Sequence, residues 1–137
     1  MGSNPTLSAR NARLKAKEMQ ENDLKIRTKD FALRIVKLFS ALPDSTEAQV
    51  IGKQLLRSGT SVGAHYREAQ RAKSDADFIS KIEGALQELE ETAYWLELLE
   101  GAEIFNAQRL QPLQAETKEL IAILITIAKK VKDKSRR

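Results

Sequence analysis

Apolar residues recur at alternating spacings of four and three through one long stretch of this chain, and this repeat constrains the fold more than any other feature. Such spacing places the side chains on one face of an α-helix, which must be covered by other apolar surfaces. The residues of the repeat are Phe78, Ile82, Ala85, Leu89, Thr92, Leu96 and Leu99. A helix over about 75–101 is therefore predicted, with Ser74 as its cap and Gly101 at its end.

Three further segments show helical periodicity. The first is predicted from about residue 24 to 42 and ends at Pro43. The second begins near Thr46, after the turn and cap residues 44–46, and the last runs over about 106–132. Pro112 fits only the first turn of a helix, so the regular part of the last helix is expected to begin near Gln111. With 137 residues, the chain is predicted to be a single all-α domain of four helices.

The second helix contains a strip of glycines. Gly52, Gly59 and Gly63 fall on one face if the helix is continuous. A glycine inside a helix costs about 1 kcal/mol relative to alanine, so close approach of a neighbouring helix must offset the cost. Gly59 and Gly63 are therefore predicted to be helix-packing positions. A break of the helix at residues 58–60 is the alternative.

The last helix carries more apolar surface than one core needs. Ile121, Ile123 and Ile125 lie outside its core stripe, which comprises Leu110, Leu113, Thr117, Leu120, Leu124, Ile127 and Val131. A helix that is apolar on more than one face is buried on more than one face. The three isoleucines are therefore predicted to meet another copy of the chain in a homo-oligomer.

Basic residues are concentrated at the two ends of the chain. Residues 1–29 hold seven Lys or Arg against three Asp or Glu, residues 129–137 hold six against one, and the segment between is acidic. Basic ends can bind phosphate backbones, although they can also serve only solubility. Arg57, Arg67, Arg71 and Lys73 add positive charge to the second helix, where Tyr66 could stack on a base. Salt bridges to a neighbouring subunit are the other interpretation of these side chains, because the following helix is acidic. The candidate nucleic-acid-binding residues are Arg57, Arg67, Arg71, Lys73, Lys129, Lys130 and Lys132.

Enzymatic chemistry has weak support. His65, the only histidine, precedes Glu68 by three residues, and Ser58 or Ser61 could act as a nucleophile. No oxyanion-hole or phosphate-loop pattern accompanies them, so His65 is more simply a hydrogen-bonded residue at a packing surface. Di-metal helical bundles need two Glu-x-x-His motifs, which this chain lacks. We expect no catalytic residue, no metal and no cofactor.

The sequence also bears on location. Cysteine is absent, which fits a reducing compartment, and the N-terminal residues lack the apolar stretch of a signal peptide. The longest apolar run, residues 120–128, is far shorter than the roughly 20 residues that cross a bilayer. A cytoplasmic protein without membrane contact is expected.

Residues 55–99 resemble a known family. The matching motifs are Arg57-Ser58, Ser61-Val62-Gly63-Ala64, Tyr66-Arg67-Glu68-Ala69, Ser74, Asp77-Phe78, Lys81, Glu91-Thr92 and Tyr94-Trp95-Leu96-Glu97-Leu98-Leu99. They resemble the centre of the small bacterial four helix bundle proteins, some of which are encoded in intervening sequences of 23S rRNA genes. His65 departs from the family pattern, which usually has asparagine there.

The resemblance implies an antiparallel up-down four-helix bundle that assembles as a ring-like homopentamer without enzymatic activity. The family is also similar to the accessory variability protein of diversity-generating retroelements, which binds nucleic acid and works beside a reverse transcriptase. We therefore expect a basic N-terminal extension over 1–23, frayed or helical, a bundle over 24–132 and a basic tail over 133–137. The expected function is nucleic-acid binding by a homo-oligomer, as an accessory factor; a protein-interaction scaffold is the alternative.

Overall fold

The computed structural model describes residues 5–136, with side chains from residue 9 onward, and contains the four predicted helices. They are α1 (Pro5–Ala41), α2 (Thr46–Gln70), α3 (Asp75–Gly101) and α4 (Ala107–Ser135). No strand occurs within these residues. The prediction of an all-α domain with four helices is confirmed.

Polar side chains begin three of the helices. Ser45, Ser74 and Asn106 accept hydrogen bonds from backbone N–H groups in the first turns of α2, α3 and α4. Those N–H groups have no partner within the helix, so each cap stabilises its helix by about 1 kcal/mol. The predicted caps before α2 and α3 are confirmed, as is the end of α3 at Gly101. Glu103 then turns the chain with a positive φ of 56°.

The first helix is longer than its apolar stripe. It begins at Pro5, whereas the stripe predicted a start near residue 24 and left residues 1–23 as frayed or helical. Residues 9–20 are exposed on every side, so the segment before residue 21 extends roughly 24 Å at 1.5 Å per residue. Residues 1–4 of the predicted extension and residue 137 of the predicted tail lie outside the described residues.

The last helix begins earlier than Pro112 predicted. That residue lies in the second turn of α4, because the helix already begins at Ala107 rather than near Gln111. Proline has no N–H, so the carbonyl of Gln108 lacks its usual helical partner. Gln108 is exposed, and water can satisfy that carbonyl. The Asn106 cap supplies the start that the proline was expected to supply.

The glycine strip packs against α1, and α2 is continuous through it. A Cβ atom at Gly59 would lie 2.6 Å from Cγ1 of Ile35, and one at Gly63 would lie 3.3 Å from Oγ1 of Thr28. At Gly52 the nearest atom is Cδ1 of Leu42, at 2.7 Å. The prediction that these glycines allow close helix approach is confirmed, and the alternative of a break at residues 58–60 is wrong.

The core lies between the four helices. The predicted stripe of α3 is buried from Ile82 to Leu99, and Phe78 at its start is half-buried. In α4 the buried positions end at Ala128, while Ile127 and Val131 are only half-buried, which corrects the predicted stripe. The described residues of the core are Leu24, Phe31, Ile35, Leu42, Leu55, Val62, Tyr66, Ala69, Ile82, Ala85, Leu89, Leu96, Leu99, Leu110, Leu113, Leu120, Leu124 and Ala128.

An ion-pair cluster connects α1 to α4. The guanidinium of Arg27 donates two hydrogen bonds to the carboxylate of Glu116, from Nε at 2.8 Å and from Nη2 at 2.7 Å. The same Nη2 lies 2.9 Å from Oε1 of Glu119. The hydrogen bond from Arg27 lowers the pKa of Glu116 below its ordinary value, despite partial burial. This paired geometry fixes the two helices more specifically than a single contact would.

Candidate nucleic-acid interface

Two of the predicted basic residues line one cleft at the end of the bundle. Lys73, in the turn between α2 and α3, and Lys130, in α4, both border a cleft of about 530 Å³. Lys17 from α1 and Lys134 from α4 line the same cleft. The fold therefore brings together lysines from both basic ends of the sequence and from the turn between them.

Three other predicted residues are exposed but do not line this cleft, and Lys129 borders a second, smaller cleft instead. Arg67 and Arg71 lie at the C-terminal end of α2, just before Lys73, and Lys129 precedes Lys130 in α4. None of the three makes an ion pair with the side chains described here. Their charges are thus available to a ligand.

The remaining two predicted residues are paired within the chain. Arg57 contacts two carboxylates of α3, Glu88 at 3.3 Å and Glu91. The hydrogen bond to Glu91, aided by the charge of Glu88, raises the pKa of Arg57 above its ordinary value. Lys132 Nζ lies 2.8 Å from Oε1 of Glu83. Carboxylates of α3 do pair with basic side chains, as the alternative interpretation held, but here the partners belong to the same chain.

Tyr66 lies inside the protein rather than on its surface. Only 3% of the residue is exposed, and its hydroxyl donates a hydrogen bond to the backbone carbonyl of Glu21 at 3.2 Å. Burial raises its pKa to about 12. Tyr66 was expected to lie on the surface among the arginines of α2 and to stack on a base. That expectation is wrong, because the apolar spacing of α2 places residue 66 on the buried face of the helix. Its ring forms part of the cleft wall instead.

The residues of the hypothetical catalytic group point to different partners. The Glu68 carboxylate lies 3.4 Å from Nζ of Lys81, and the Ser61 hydroxyl donates to a carbonyl of its own helix at 2.6 Å. His65 packs against α3, where a Cβ at Gly84 would lie 3.0 Å from its Nδ1. That nitrogen is buried and has no hydrogen-bond partner among the described residues, so His65 is at a packing surface as predicted, but its Nδ1 does not make the predicted hydrogen bond there.

The described side chains include no group of three or more His, Asp or Glu residues placed to hold a metal ion. No helix within residues 5–136 combines the length and the apolar character needed to cross a membrane.

The three predicted oligomer isoleucines differ in exposure. Ile121 and Ile123 are half-buried and pack against the core, while Ile125 is 51% exposed. Ile121 and Ile123 therefore have less free surface than predicted, because α4 lies between neighbouring helices on two flanks.

An exposed apolar surface on α1 was not predicted from the sequence. It comprises Met19, Ile26, Leu33 and Val36, which are 64%, 52%, 55% and 42% exposed. We call it the α1 seam. Its members are seven, seven and three residues apart, the spacing of a coiled-coil face. That spacing is present in the sequence, beside the more regular pattern of the buried α1 positions Leu24, Phe31 and Ile35.

The chain is similar to a known family and to a protein of known structure. The model of a family described as 23S rRNA-intervening sequence protein matches residues 20–126. A solved structure, a protein of unknown function from the S23 ribosomal protein family of Bacteroides thetaiotaomicron, is 43% identical with a TM-score of 0.75; the match covers 80% of this chain and 97% of that one. No curated protein matches the chain.

Proposed function

We propose that this chain, which belongs to the 23S rRNA-intervening sequence protein family, is a non-enzymatic homo-oligomeric bundle that binds RNA or DNA through the basic surface around its cleft. The observation that carries the proposal is the convergence of Lys17, Lys73, Lys130 and Lys134 on one cleft. Separate parts of the sequence contribute these lysines, so their meeting is a property of the fold.

Electrostatics favours a polyanion as the ligand. Arg67 and Arg71, at the end of α2 that borders the cleft, add exposed positive charge that no described carboxylate pairs with. The exposed first part of α1 contributes three further basic side chains, Arg10, Arg13 and Lys15, against one carboxylate, Glu18. Clustered basic charge of this kind neutralises phosphates and releases their counterions, which makes binding steeply dependent on salt.

Charge reversal tests the proposal. Lys130→Glu should weaken binding to a structured RNA and should lower the slope of log K against log salt by about 1, because one phosphate contact is lost. Lys53→Glu is the matched control, since Lys53 is an exposed lysine near the opposite end of α2 and changes the net charge equally. Binding would be measured by fluorescence anisotropy at two salt concentrations.

Two results would refute nucleic-acid binding by this surface. One is the absence of RNA and DNA binding at low salt. The other is equal loss of affinity in both variants, which would show that net charge rather than the cleft surface determines binding.

Assembly into a homo-oligomer is part of the proposal. Helix pairs meet in opposite residue order, with Gly52 against Leu42 and Gly63 against Thr28, which supports the antiparallel up-down arrangement. The α1 seam and Ile125 leave apolar surface uncovered in a single chain. A ring-like homopentamer would cover such surfaces with copies of the chain and would repeat the basic cleft around one rim.

The seam also supports the second candidate function, a protein-interaction scaffold. A partner such as a reverse transcriptase could bind this face, in keeping with an accessory role in the cytoplasm. Leu33→Glu should then reduce the native mass or remove a co-purifying protein, whereas Lys53→Glu, at an exposed position of α2 outside the seam, should not. A chain that stays monomeric without partners in both forms would contradict assembly through the seam.

A further inference from the structure

The cleft has an apolar floor that phosphate binding alone does not require. Leu24 and Tyr66, each 3% exposed, form part of it. Phe78, Ile127 and Val131, all half-buried, complete the apolar lining. At about 530 Å³ the cleft falls in the usual size range of small-ligand sites, roughly 300–1,000 Å³. It is therefore large enough to hold a small ligand.

The rim of the cleft is positively charged overall. Its ionisable side chains are Lys17, Lys73, Lys130 and Lys134 on the basic side and Glu21 and Asp75 on the acidic side. The hydroxyl of Ser135 donates a hydrogen bond to Oδ2 of Asp75 at 3.0 Å, so one carboxylate is already engaged. None of the four lysines forms an ion pair with the carboxylates described in residues 9–136. The rim thus favours an anion.

We propose that the cleft receives one unpaired nucleotide of a bound strand, with its base against the apolar floor and its phosphates among the rim lysines. This inference rests on the proposed function and makes it specific for single-stranded or looped nucleic acid. A paired base inside a duplex keeps its faces stacked on its neighbours and cannot enter a cleft. An unpaired base can, and the half-buried ring of Phe78 offers an aromatic surface for it.

The two components of the site predict separable effects. The apolar floor would contact only a base that has left the stack, so replacing it should weaken binding to single strands and leave binding to duplexes unchanged. The rim lysines would contact phosphates, so replacing them should weaken binding to single strands and to duplexes. This separation distinguishes the nucleotide site from a merely basic surface, on which single strands and duplexes lose affinity together.

Fluorescence anisotropy with a labelled single strand and the matching duplex tests the inference. Phe78→Ala should weaken single-strand binding about tenfold, since it removes the aromatic ring on which the base would stack. Duplex affinity and the salt dependence should not change. Phe105→Ala is the matched control, because Phe105 is another half-buried aromatic residue, in the α3–α4 turn at the other end of the bundle.

A second variant distinguishes loss of the aromatic ring from loss of the fold. Phe78→Leu keeps apolar volume but removes the ring, and thermal unfolding would show that the fold persists. Selective loss of single-strand binding in this variant supports the inference. Equal single-strand affinity in both Phe78 variants and the unchanged protein overturns the nucleotide site while leaving nucleic-acid binding intact. Failure of both probes to bind at low salt overturns both proposals, and binding of oleate but neither strand would show that the cleft takes a lipid anion instead.

Discussion

Replacing Gly59 with alanine adds one methyl group at the tightest contact between α1 and α2. The new Cβ would lie 2.6 Å from Cγ1, 2.9 Å from Cγ2 and 3.0 Å from Cδ1 of Ile35. Ile35 is fully buried, and its branched side chain has one strongly preferred rotamer in a helix. It cannot rotate away, so the two helices must move apart.

The size of the effect follows from two opposing contributions. Overpacking a well-packed core costs about 1–3 kcal/mol, and three contacts at or below 3.0 Å place this site near the upper value. Alanine is a better helix former than glycine by about 1 kcal/mol. The net loss in the free energy of unfolding should be about 2 kcal/mol, or roughly 6–10 °C in Tm for a domain of this size.

Thermal and urea unfolding of a graded alanine series measures this effect. Gly101→Ala has no atom within 4 Å of its Cβ and should be neutral or stabilising. Gly63→Ala, with Oγ1 of Thr28 at 3.3 Å, should be intermediate. The Gly101→Ala variant should therefore be the most stable of the series, Gly63→Ala should come next and Gly59→Ala should be the least stable.

A double-mutant cycle identifies the cause. Ile35→Ala alone should cost about 2–5 kcal/mol through the cavity it leaves. In that background Gly59→Ala should no longer destabilise, because the three crowding atoms are gone. Stabilisation by Gly59→Ala equal to that by Gly101→Ala would refute the close-packing explanation, as would an undiminished cost in the Ile35→Ala background.

Three further predictions concern polar and ionisable groups. Glu116 has a folded-state pKa below its ordinary value because of Arg27, so the stability that it contributes is complete above about pH 4.5 and is lost as the pH falls through the folded-state pKa. Glu116→Gln should lower the free energy of unfolding by about 1–2 kcal/mol at pH 7 and should flatten the acid limb of a stability–pH curve. An unchanged acid limb would contradict this. Tyr66 has a pKa raised from 10.0 to about 12, so its stabilisation is complete below pH 10 and is lost between pH 10 and 12; Tyr66→Phe should remove that alkaline loss in urea unfolding. Thr92→Val should cost about 1 kcal/mol because its hydroxyl lies 2.9 Å from that of buried Ser58, and the double variant with Ser58→Ala should cost less than the two single changes together.

Local patterns were sufficient to predict the helices and most of their buried faces. The repeat from Phe78 to Leu99 determined the core face of α3 because apolar spacing and helical geometry coincide there. Ser45 and Ser74 marked helix starts because a short polar side chain can satisfy the first N–H groups. Pro112 misled the prediction because its preference for the first turn is statistical, and water can satisfy the one carbonyl that it leaves free.

The candidate site depended on contacts that no local pattern contains. Lys17, Lys73 and Lys130 are far apart in the chain, and charge counts placed Lys17 and Lys130 in the two basic ends but Lys73 in the acidic middle segment. Arg57 and Lys132 resembled their neighbours in sequence, yet α3 supplies carboxylates to both. A charge count cannot separate paired from unpaired side chains, because pairing depends on which helices become neighbours.

The sequence by itself determined the presence of four helices, the caps of α2 and α3 and the glycine strip of α2, since these follow from spacings of a few residues and from the absence of a Cβ in glycine. Only the tertiary structure decided which basic side chains surround one apolar cleft and which are neutralised. The physical reason is range: backbone geometry acts over one or two turns, whereas burial and ion pairing depend on how whole helices pack together.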